Sequence, residues 1–365
     1  MQEWVLMNRG KPVARFSTLN DNFIDKFTII NMDLLPEMLK TGLSAAMGEW
    51  LSSRKIDTTR SNARILLKRL GLSTSGLYPI LFNRALSLTD TYWLKANPND
   101  NFSKVCLHRK SHVTPILETS LSGALHDLPR ITNTEITNIG SFNKAWIRLR
   151  DGWWLIKSDG PGMSKMNSYA ELYAHKLGVH LGMDMAKYKA IKINGQVMTA
   201  SKNFTNEVRT LEHYSSFKYR FSNREARFIE SNFRALDLHK EYLNILLLDG
   251  LVSNPDRHEF NFGVIKSSSP GKVLALAPNF DNNLALGTHI PNGKPSTYLL
   301  REYLNTYGIH EWQKPMIAKL NMDIISSIDL SVKNELEEPN LNTRHILEYY
   351  NSILDGGLLS RYLKS

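Results

Sequence analysis

The chain has 365 residues, enough for one large or two ordinary domains, and its 42% hydrophobic and 22% charged content excludes a disordered protein. Its longest apolar run, 245–252, is interrupted by Asp249 and Gly250 and is too short to span a bilayer, and the N-terminus lacks the basic and apolar regions of a signal peptide. A single cysteine, Cys106, cannot form an internal disulfide, so we expect a cytoplasmic protein with no membrane partner.

The excess positive charge is concentrated in residues 51–110, which hold eleven Lys and Arg and three acids, a net charge of +8 in a chain whose total is +10. Here 58–70 has a helical pattern, Gly71 ends it, and a second helix is predicted over 77–86. This loosely matches a DNA-binding helix-turn-helix. The alternatives are a basic solvated face packed on the core, or a surface that meets an acidic partner protein or the phosphates of a tRNA-associated substrate.

Two stretches of the sequence are predicted boundaries between domains or lobes. The main one is 114–137, where Pro115, Gly123 and Pro129 break up a segment rich in Ser, Thr and Asn, and a smaller one is 200–216. Between them, several short β-prone runs surround one predicted helix.

The first of these runs follows a possible phosphate-binding turn. Gly140 and Ser141, followed by Lys144, could present backbone N–H groups and a cation to a phosphate, and the alternative is an ordinary hairpin turn. The β-prone run 152–157 ends in Lys157, whose ammonium group could contact phosphates in a cleft. For a lone lysine, a solvated strand end is the ordinary interpretation.

A helix is predicted over 168–178, with Gly178 as its C-cap. A hairpin is then predicted from runs 187–193 and 196–200, because the Asn-Gly pair between them is the strongest short hairpin signal. Residues 201–204 continue from the second strand of that hairpin.

The strongest chemical signal comes next. Asp256 is followed five residues later by Asn261, and Asp281 lies shortly downstream, which is the order in which kinases arrange a catalytic base and two metal ligands. Runs 261–265 and 273–276 predict a hairpin that brings Asn261 near Asp281, so that both could face one cation. The alternative is that Asn-Pro-Asp is only a turn.

These residues resemble a known family. The pattern Asn-x-Asp-Arg-His-x-x-Asn from Asn254 and the pattern Pro-x-Phe-Asp from Pro278 are similar to the catalytic core of the HipA-like serine/threonine kinases. The resemblance covers most of the chain and is strongest over 138–283. It implies an α+β, two-lobed, protein-kinase-like fold, with a β-rich N-terminal lobe and a mostly helical C-terminal lobe. It also implies the cofactors ATP and Mg²⁺ and, since many members are toxins of bacterial toxin–antitoxin pairs, a candidate antitoxin partner.

The resemblance implies roles for individual residues. Asp256 would be the catalytic base, Asn261 and Asp281 the Mg²⁺ ligands, and Lys157 the lysine that binds the ATP phosphates. His258, two residues from the base, could orient the catalytic loop or contact the γ-phosphate, or could make only a structural hydrogen bond.

Further positions complete the predicted ATP site. Glu171 is the only acid of the 168–178 helix and would fix the phosphate lysine, although the family usually carries its acid nearer the helix start, about where Asn167 stands. Lys202 and Phe204 would contact adenine. Gly140, Ser141 and Lys144 would form the phosphate loop, and Ser141 would be a site of inhibitory autophosphorylation, since some members modify a serine in or near this loop.

The predicted organisation is an N-terminal subdomain over 1–113 with an opening hairpin and the basic helical segment, an ATP-binding core over 114–204, and a helical lobe with the catalytic and metal-binding loops over 205–365. The last lobe is expected to contain helices at 297–307, 315–328 and 344–363. The leading function is phosphorylation of Ser or Thr in a protein. The alternatives are a small-molecule or lipid kinase, and a DNA-binding regulator that uses the 51–110 region with a kinase-like body as its scaffold.

Overall fold

The structure, a computed structural model, describes residues 2–19, 23–57, 62–73, 76–123, 142–159, 164–219, 226–288, 290, 293–355 and 357–363. The strands are, in chain order, β1 (Gln2–Asn8), β2 (Lys11–Leu19), β3 (Phe23–Ile29), β4 (Tyr92–Lys95), β5 (Asn143–Leu149), β6 (Gly152–Ser158), β7 (Tyr188–Ile193), β8 (Gln196–Lys202), β9 (Arg209–His213), β10 (Gly263–Ser267) and β11 (Val273–Leu276).

The helices are α1 (Ser44–Ser52), α2 (Ala63–Arg69), α3 (Tyr78–Phe82), α4 (Phe102–Val105), α5 (Thr114–Ser122), α6 (Met166–Leu181), α7 (Ala226–Ala235), α8 (His239–Leu251), α9 (Tyr298–Tyr307), α10 (Lys314–Ile317), α11 (Met322–Glu335), α12 (Arg344–Leu354) and α13 (Ser360–Leu363). Within the described ranges, no helix combines the length and the apolar composition that crossing a membrane requires.

The chain divides into two compact units, each built from three separate segments. Unit 1 comprises Met1–Pro161, Lys202–Phe228 and Gly263–Ala277, and unit 2 comprises Gly162–Ser201, Ile229–Phe262 and Pro278–Ser365. The chain therefore leaves unit 2 just after Asn261 and re-enters it three residues before Asp281.

Unit 1 begins with an antiparallel sheet in the order β3-β2-β1-β4, so the predicted opening hairpin is present as β1 and β2. Its core packs α1 and the short helix α3 against the strands. The buried apolar side chains of this cluster include Leu6, Val13, Leu35, Leu39, Met47, Leu51, Ile80 and Leu81.

The second helix of the basic segment is shorter than predicted. It spans only Tyr78–Phe82, instead of 77–86, and carries no basic residue. Its Ile80 and Leu81 are buried in the N-terminal core. A recognition helix contacts bases and phosphates with polar and basic side chains, and in this five-residue helix only Tyr78 has a polar group, so it does not have the form of a recognition helix.

A second antiparallel sheet of unit 1, in the order β11-β10-β9, is joined to the N-terminal subdomain by a buried ionic cluster. Lys266 Nζ lies 2.7 Å from Glu212 Oε2 and 3.2 Å from Glu37 Oε1, and the backbone N–H of Glu37 donates to Glu212 Oε1 at 2.5 Å. Burial opposes the charge on Lys266, but the two carboxylates outweigh it and raise the pKa of Lys266.

Unit 2 contains the predicted Asn-Gly hairpin, with β7 and β8 in antiparallel register. Asn194 and Gly195 have φ values of 49° and 81°, the pair of positive angles that a type I′ turn requires. Helix α6 runs past Gly178, which was wrongly predicted as its C-cap, and ends at Gly182 with φ 81°. Gly178 has a packing role instead, because a Cβ there would collide with the side chain of Met185.

Three further boundaries differ from the prediction. The helix expected over 315–328 is two helices, because the side chain of Asn321 caps a new start by accepting a hydrogen bond from Ile324 N at 3.0 Å. The helix expected over 344–363 is likewise divided into α12 and α13. The segment from 114 was read as irregular, but Pro115 stands in the first turn of α5 and Gly123, with φ 73°, ends it.

Candidate active site

The candidate site of unit 2 is built on the C-terminal end of α8. Asp249, the one acid in the apolar run of this helix, is buried there. Asn254 caps the end, since its backbone N–H donates to the Asp249 carbonyl oxygen at 2.8 Å and its Nδ2 donates to Asp249 Oδ1 at 2.9 Å. The Asn254 side-chain oxygen also accepts from Asp256 N at 3.3 Å, which forms the turn that begins the loop.

Arg257 forms a bidentate ion pair with Asp249. Its Nε donates to Oδ2 at 2.9 Å and its Nη2 donates to Oδ1 at 2.8 Å, and each side chain is only 7% exposed. Burial by itself would lower the pKa of Arg257, but the Asp249 carboxylate more than offsets this, so the pKa lies above its usual value. The guanidinium group is therefore a permanent buried charge.

The same guanidinium group joins the two predicted metal-binding loops. Arg257 Nη1 donates to the carbonyl oxygens of Asn261 and Phe280, at 2.7 Å in each case. Its Nη2 donates to the side-chain oxygens of Asn282, at 2.7 Å, and Asn279, at 3.2 Å. Arg257 Nη1 thus links Asn261, one predicted ligand, to Phe280, which immediately precedes the other predicted ligand, Asp281.

The side chain of Asn261 is oriented by Asp256. Asn261 Nδ2 donates to the Asp256 carbonyl oxygen at 2.8 Å and to Asp256 Oδ2 at 3.3 Å. Because the nitrogen end of the amide is held by these bonds, the oxygen end is the one directed elsewhere, as a cation ligand must be. The Asp256 side chain is 34% exposed, which leaves its carboxylate accessible to a hydroxyl group.

His258 is held in one tautomer beside Asp256. The backbone N–H of Phe260 donates to His258 Nδ1 at 3.2 Å, so in the neutral ring the proton is on Nε2. That Nε2 lies 3.8 Å from Asp256 Oδ2, and the ring is about half exposed. The geometry fits a residue that orients the catalytic loop.

Asp281 lies in the left-handed region, with φ 62°, and its backbone N–H donates to the Tyr188 hydroxyl at 3.0 Å. The residues before it run beside the chain that leads into β7. There Asn279 N donates to the Asp184 carbonyl oxygen at 2.8 Å, and Ala186 N donates to the Asn279 carbonyl oxygen at 2.9 Å.

In unit 1, the two predicted phosphate lysines are neighbours. Lys144 on β5 and Lys157 on β6 are directly opposite in the antiparallel register, so their side chains share one face of the hairpin. Both lysines are buried.

The predicted adenine-binding residues lie at the end of β8 in unit 1. Lys202 Nζ pairs with Asp151 Oδ2 at 3.0 Å, and this hydrogen bond lowers the pKa of Asp151 to about 2. Phe204 follows in a segment without regular secondary structure beside Asn203, whose backbone N–H donates to the Trp153 carbonyl oxygen at 2.9 Å.

The remaining predicted positions are Glu171, Gly140 and Ser141. Glu171 is buried in the middle of α6 in unit 2. Gly140 and Ser141 lie outside the described residues.

Sequence reasoning gave no role to Arg257, Asp249, Asn279 or Asn282, which form the hydrogen-bonded framework of the site. The available signal was an Asp inside the otherwise apolar end of α8, because such a buried charge requires a partner. The identity of that partner could not be deduced from spacing, since it lies eight residues downstream and outside any helical period.

The donor set suits a cation that is shared with a ligand. In the part of the chain that the structure describes, no group of three or more His, Cys, Asp or Glu side chains could hold a metal ion by itself. An amide oxygen and a carboxylate, from Asn261 and Asp281, are instead the small set with which proteins hold Mg²⁺ together with substrate phosphates and water.

Comparison with known proteins identifies the fold. No protein-family model matches the sequence, and no curated protein is similar to it in sequence. Among solved structures, the chain is similar to HipA in the complex of the Shewanella oneidensis MR-1 toxin–antitoxin system HipA, HipB and its operator DNA, with a TM-score of 0.53 and 13% identity over 99% of this chain and 97% of that chain. It is also similar to the Helicobacter pylori proinflammatory kinase CtkA, with a TM-score of 0.42 and 15% identity over 61% of this chain and 94% of that chain.

The likeness to HipA extends over nearly the whole of both chains. The chain therefore has the HipA-like, α+β fold that the sequence motifs predicted.

Proposed function

We propose that this protein is an ATP- and Mg²⁺-dependent kinase that phosphorylates serine or threonine hydroxyl groups of a protein. The observation that carries the proposal is the Arg257 framework, which ties the loop of Asp256 and Asn261 to the loop of Asp281 through buried hydrogen bonds. Phosphoryl transfer depends on position and charge more than on covalent chemistry, so a rigid arrangement of one base and two ligands is the expected apparatus.

Asp256 would act as the catalytic base. Its partly exposed carboxylate accepts the proton of the attacking hydroxyl group while that oxygen bonds to the γ-phosphorus and the bond to the β,γ-bridging oxygen breaks, which releases ADP. His258, whose Nδ1 accepts a hydrogen bond from Phe260 N, would orient the catalytic loop.

Asn261 and Asp281 would hold Mg²⁺, which neutralises the charge that develops on the transferred phosphoryl group. Lys144 and Lys157 would bind the triphosphate, and their opposite positions on the β5–β6 hairpin, which place both side chains on one face, support this proposal. Glu171, Lys202 and Phe204 remain proposed ATP-site residues, as do Gly140 and Ser141 in the phosphate loop.

A toxin of a toxin–antitoxin pair is the proposed biological setting. The HipA protein of similar fold was solved with HipB and operator DNA. For this chain we propose a protein antitoxin as the partner. We do not propose direct DNA binding through residues 51–110, because the second helix of that segment has only five residues and none of them is basic.

The test is incubation of the purified protein with labelled ATP and Mg²⁺, followed by mass spectrometry of the protein and of a cell lysate. We expect label on Ser or Thr of the wild type or of a lysate protein. Asp281→Ala should remove nearly all turnover together with the Mg²⁺-dependent part of nucleotide binding. Asp256→Asn should keep nucleotide binding and lower turnover by a factor of about a hundred or more.

The matched control is Asp33→Asn, an exposed carboxylate of unit 1 that should leave turnover unchanged. Undiminished turnover in Asp281→Ala would remove the metal assignment. Label found only on small molecules or lipids would favour the alternative kinase class, and the absence of any transfer by the wild type would refute the proposal.

A further inference from the structure

The Asp281 backbone has an unusual conformation, and its N–H is hydrogen-bonded to the side chain of Tyr188. Its φ of 62° lies in the left-handed region, which non-glycine residues adopt at a cost. Its N–H donates to the hydroxyl oxygen of Tyr188 at 3.0 Å. The direction of the Asp281 side chain follows from this backbone conformation, so whatever fixes the backbone also aims the carboxylate.

Tyr188 is itself firmly placed. It is the first residue of β7 and is buried, and its ring packs against His175 of α6 with the centroids 5.6 Å apart. The residues just before it, Asp184 and Ala186, exchange backbone hydrogen bonds with Asn279. Residues 184–188 therefore make three hydrogen bonds with 279–281. The bond to the Tyr188 hydroxyl is the one that involves Asp281, the predicted ligand.

On the basis of the kinase function proposed above, we propose that Tyr188 is a positioning residue that sets the Asp281 carboxylate for Mg²⁺. It acts through the backbone N–H of Asp281 and has no part in proton transfer. Arg257 positions the neighbouring Phe280 carbonyl oxygen in the same way, so the two contacts fix the two sides of one short turn.

The test is Tyr188→Phe, which keeps the ring against His175 and removes the hydroxyl group that accepts from Asp281 N. We expect the Mg²⁺ concentration that gives half-maximal phosphotransfer to rise about tenfold, the effect of losing one hydrogen bond of ordinary strength. Nucleotide binding in the absence of Mg²⁺ should be unchanged. A purely structural role would not move the Mg²⁺ requirement.

The matched control is Tyr92→Phe, which removes a hydroxyl that donates to the Leu34 carbonyl oxygen at 2.9 Å in unit 1. It should leave the Mg²⁺ requirement at the wild-type value. A second variant, His175→Leu, keeps the Tyr188 hydroxyl but removes the ring on which Tyr188 packs, and should raise the Mg²⁺ requirement by a smaller factor. It provides the measurement if Tyr188→Phe does not fold.

The possible outcomes are distinct. An active wild type whose Mg²⁺ requirement is unchanged by Tyr188→Phe, or by His175→Leu where only that variant folds, overturns the role of Tyr188 and leaves the kinase proposal intact. A wild type that transfers no phosphoryl group overturns both.

Discussion

A single guanidinium group joins the end of α8, its own loop and a stretch more than 20 residues downstream. Arg257 contacts Asp249 at the end of α8, the Asn261 carbonyl oxygen in its own loop, and Phe280, Asn279 and Asn282 after the β10–β11 hairpin. A planar fork with five N–H donors can serve these six contacts with one donor shared, whereas an ammonium group, which has three donors, cannot.

We therefore predict that Arg257→Lys, although it keeps the charge, lowers the free energy of unfolding by about 2–3 kcal/mol and strongly reduces phosphotransfer. Several buried acceptors, among them the Phe280 carbonyl oxygen, would lose their donors. Urea denaturation and the labelled-ATP assay measure the two effects.

Arg344→Lys is the control, because its pair with Glu348 is exposed and such pairs contribute less than about 1 kcal/mol. If Arg257→Lys lowered the free energy of unfolding and phosphotransfer no more than Arg344→Lys, the planar geometry of the guanidinium group would not be what stabilises the framework.

At this scale the sequence names candidates for the chemistry but not the residues that support them. The order of Asp256, Asn261 and Asp281 along the chain, together with the family resemblance, selects these three as predicted site residues. The supporting contacts of Arg257 and Tyr188 depend on tertiary distances. Tyr188, for example, reaches a residue 93 positions away, and no local period encodes such a contact.

At the scale of elements, Gly263 sets how closely two strands can approach. It begins β10, two residues after Asn261, and a Cβ there would collide with the carbonyl oxygen of Glu212 and lie 2.8 Å from His213 Cα on β9. Both obstacles are backbone atoms, so β9 would have to move away.

We predict that Gly263→Ala lowers the free energy of unfolding by about 1–3 kcal/mol, the usual cost of overpacking. Chemical denaturation measures it, with Gly10→Ala as the control, because no atom lies within 4 Å of a Cβ at Gly10. Equal free energies of unfolding for the two variants would mean that β9 moves away from residue 263 without an energetic cost.

Element types were predicted from the sequence more accurately than element ends. The Asn-Gly hairpin and the β10–β11 hairpin were both expected, because turn chemistry is local. Gly178 misled the helix prediction because a glycine can end a helix or admit a neighbouring side chain, and only the position of Met185 distinguishes the two. Pro115 and Gly123 caused the opposite error, because a helix was missed where a loop was predicted. Proline and glycine occur at the two ends of helices as well as in loops.

At the scale of the whole molecule, half-buried histidines contribute to the response to acid. Burial lowers the pKa of His108 to about 4, and burial also lowers the pKa values of His112, His175, His310 and His345. The unfolded chain binds a proton at each ring near pH 6.5, whereas the folded chain does so only at lower pH. Acid therefore favours unfolding.

We predict that the free energy of unfolding falls as the pH is lowered from 6.5 towards 4, with His108 contributing up to about 3 kcal/mol of the loss. His108→Phe, which fills the same buried space without a titrating group, should make this decline shallower. Denaturation at pH 7.5, 6 and 5 measures how steeply the free energy of unfolding changes with pH in the wild type and in His108→Phe. Identical slopes in wild type and variant would assign the acid sensitivity to other groups.

The ionic cluster of Glu37, Glu212 and Lys266 also constrains how the chain can mature during synthesis. Its members are far apart in sequence, with Glu37 and Lys266 separated by 229 positions, although all three belong to unit 1. Chains emerge from the ribosome N-terminal end first, at about 5–20 residues per second. The sheet β3-β2-β1-β4 is therefore synthesised long before Lys266, and until then Glu37 has Lys40 as its cationic partner. The complete ionic cluster can form only after translation has passed residue 266.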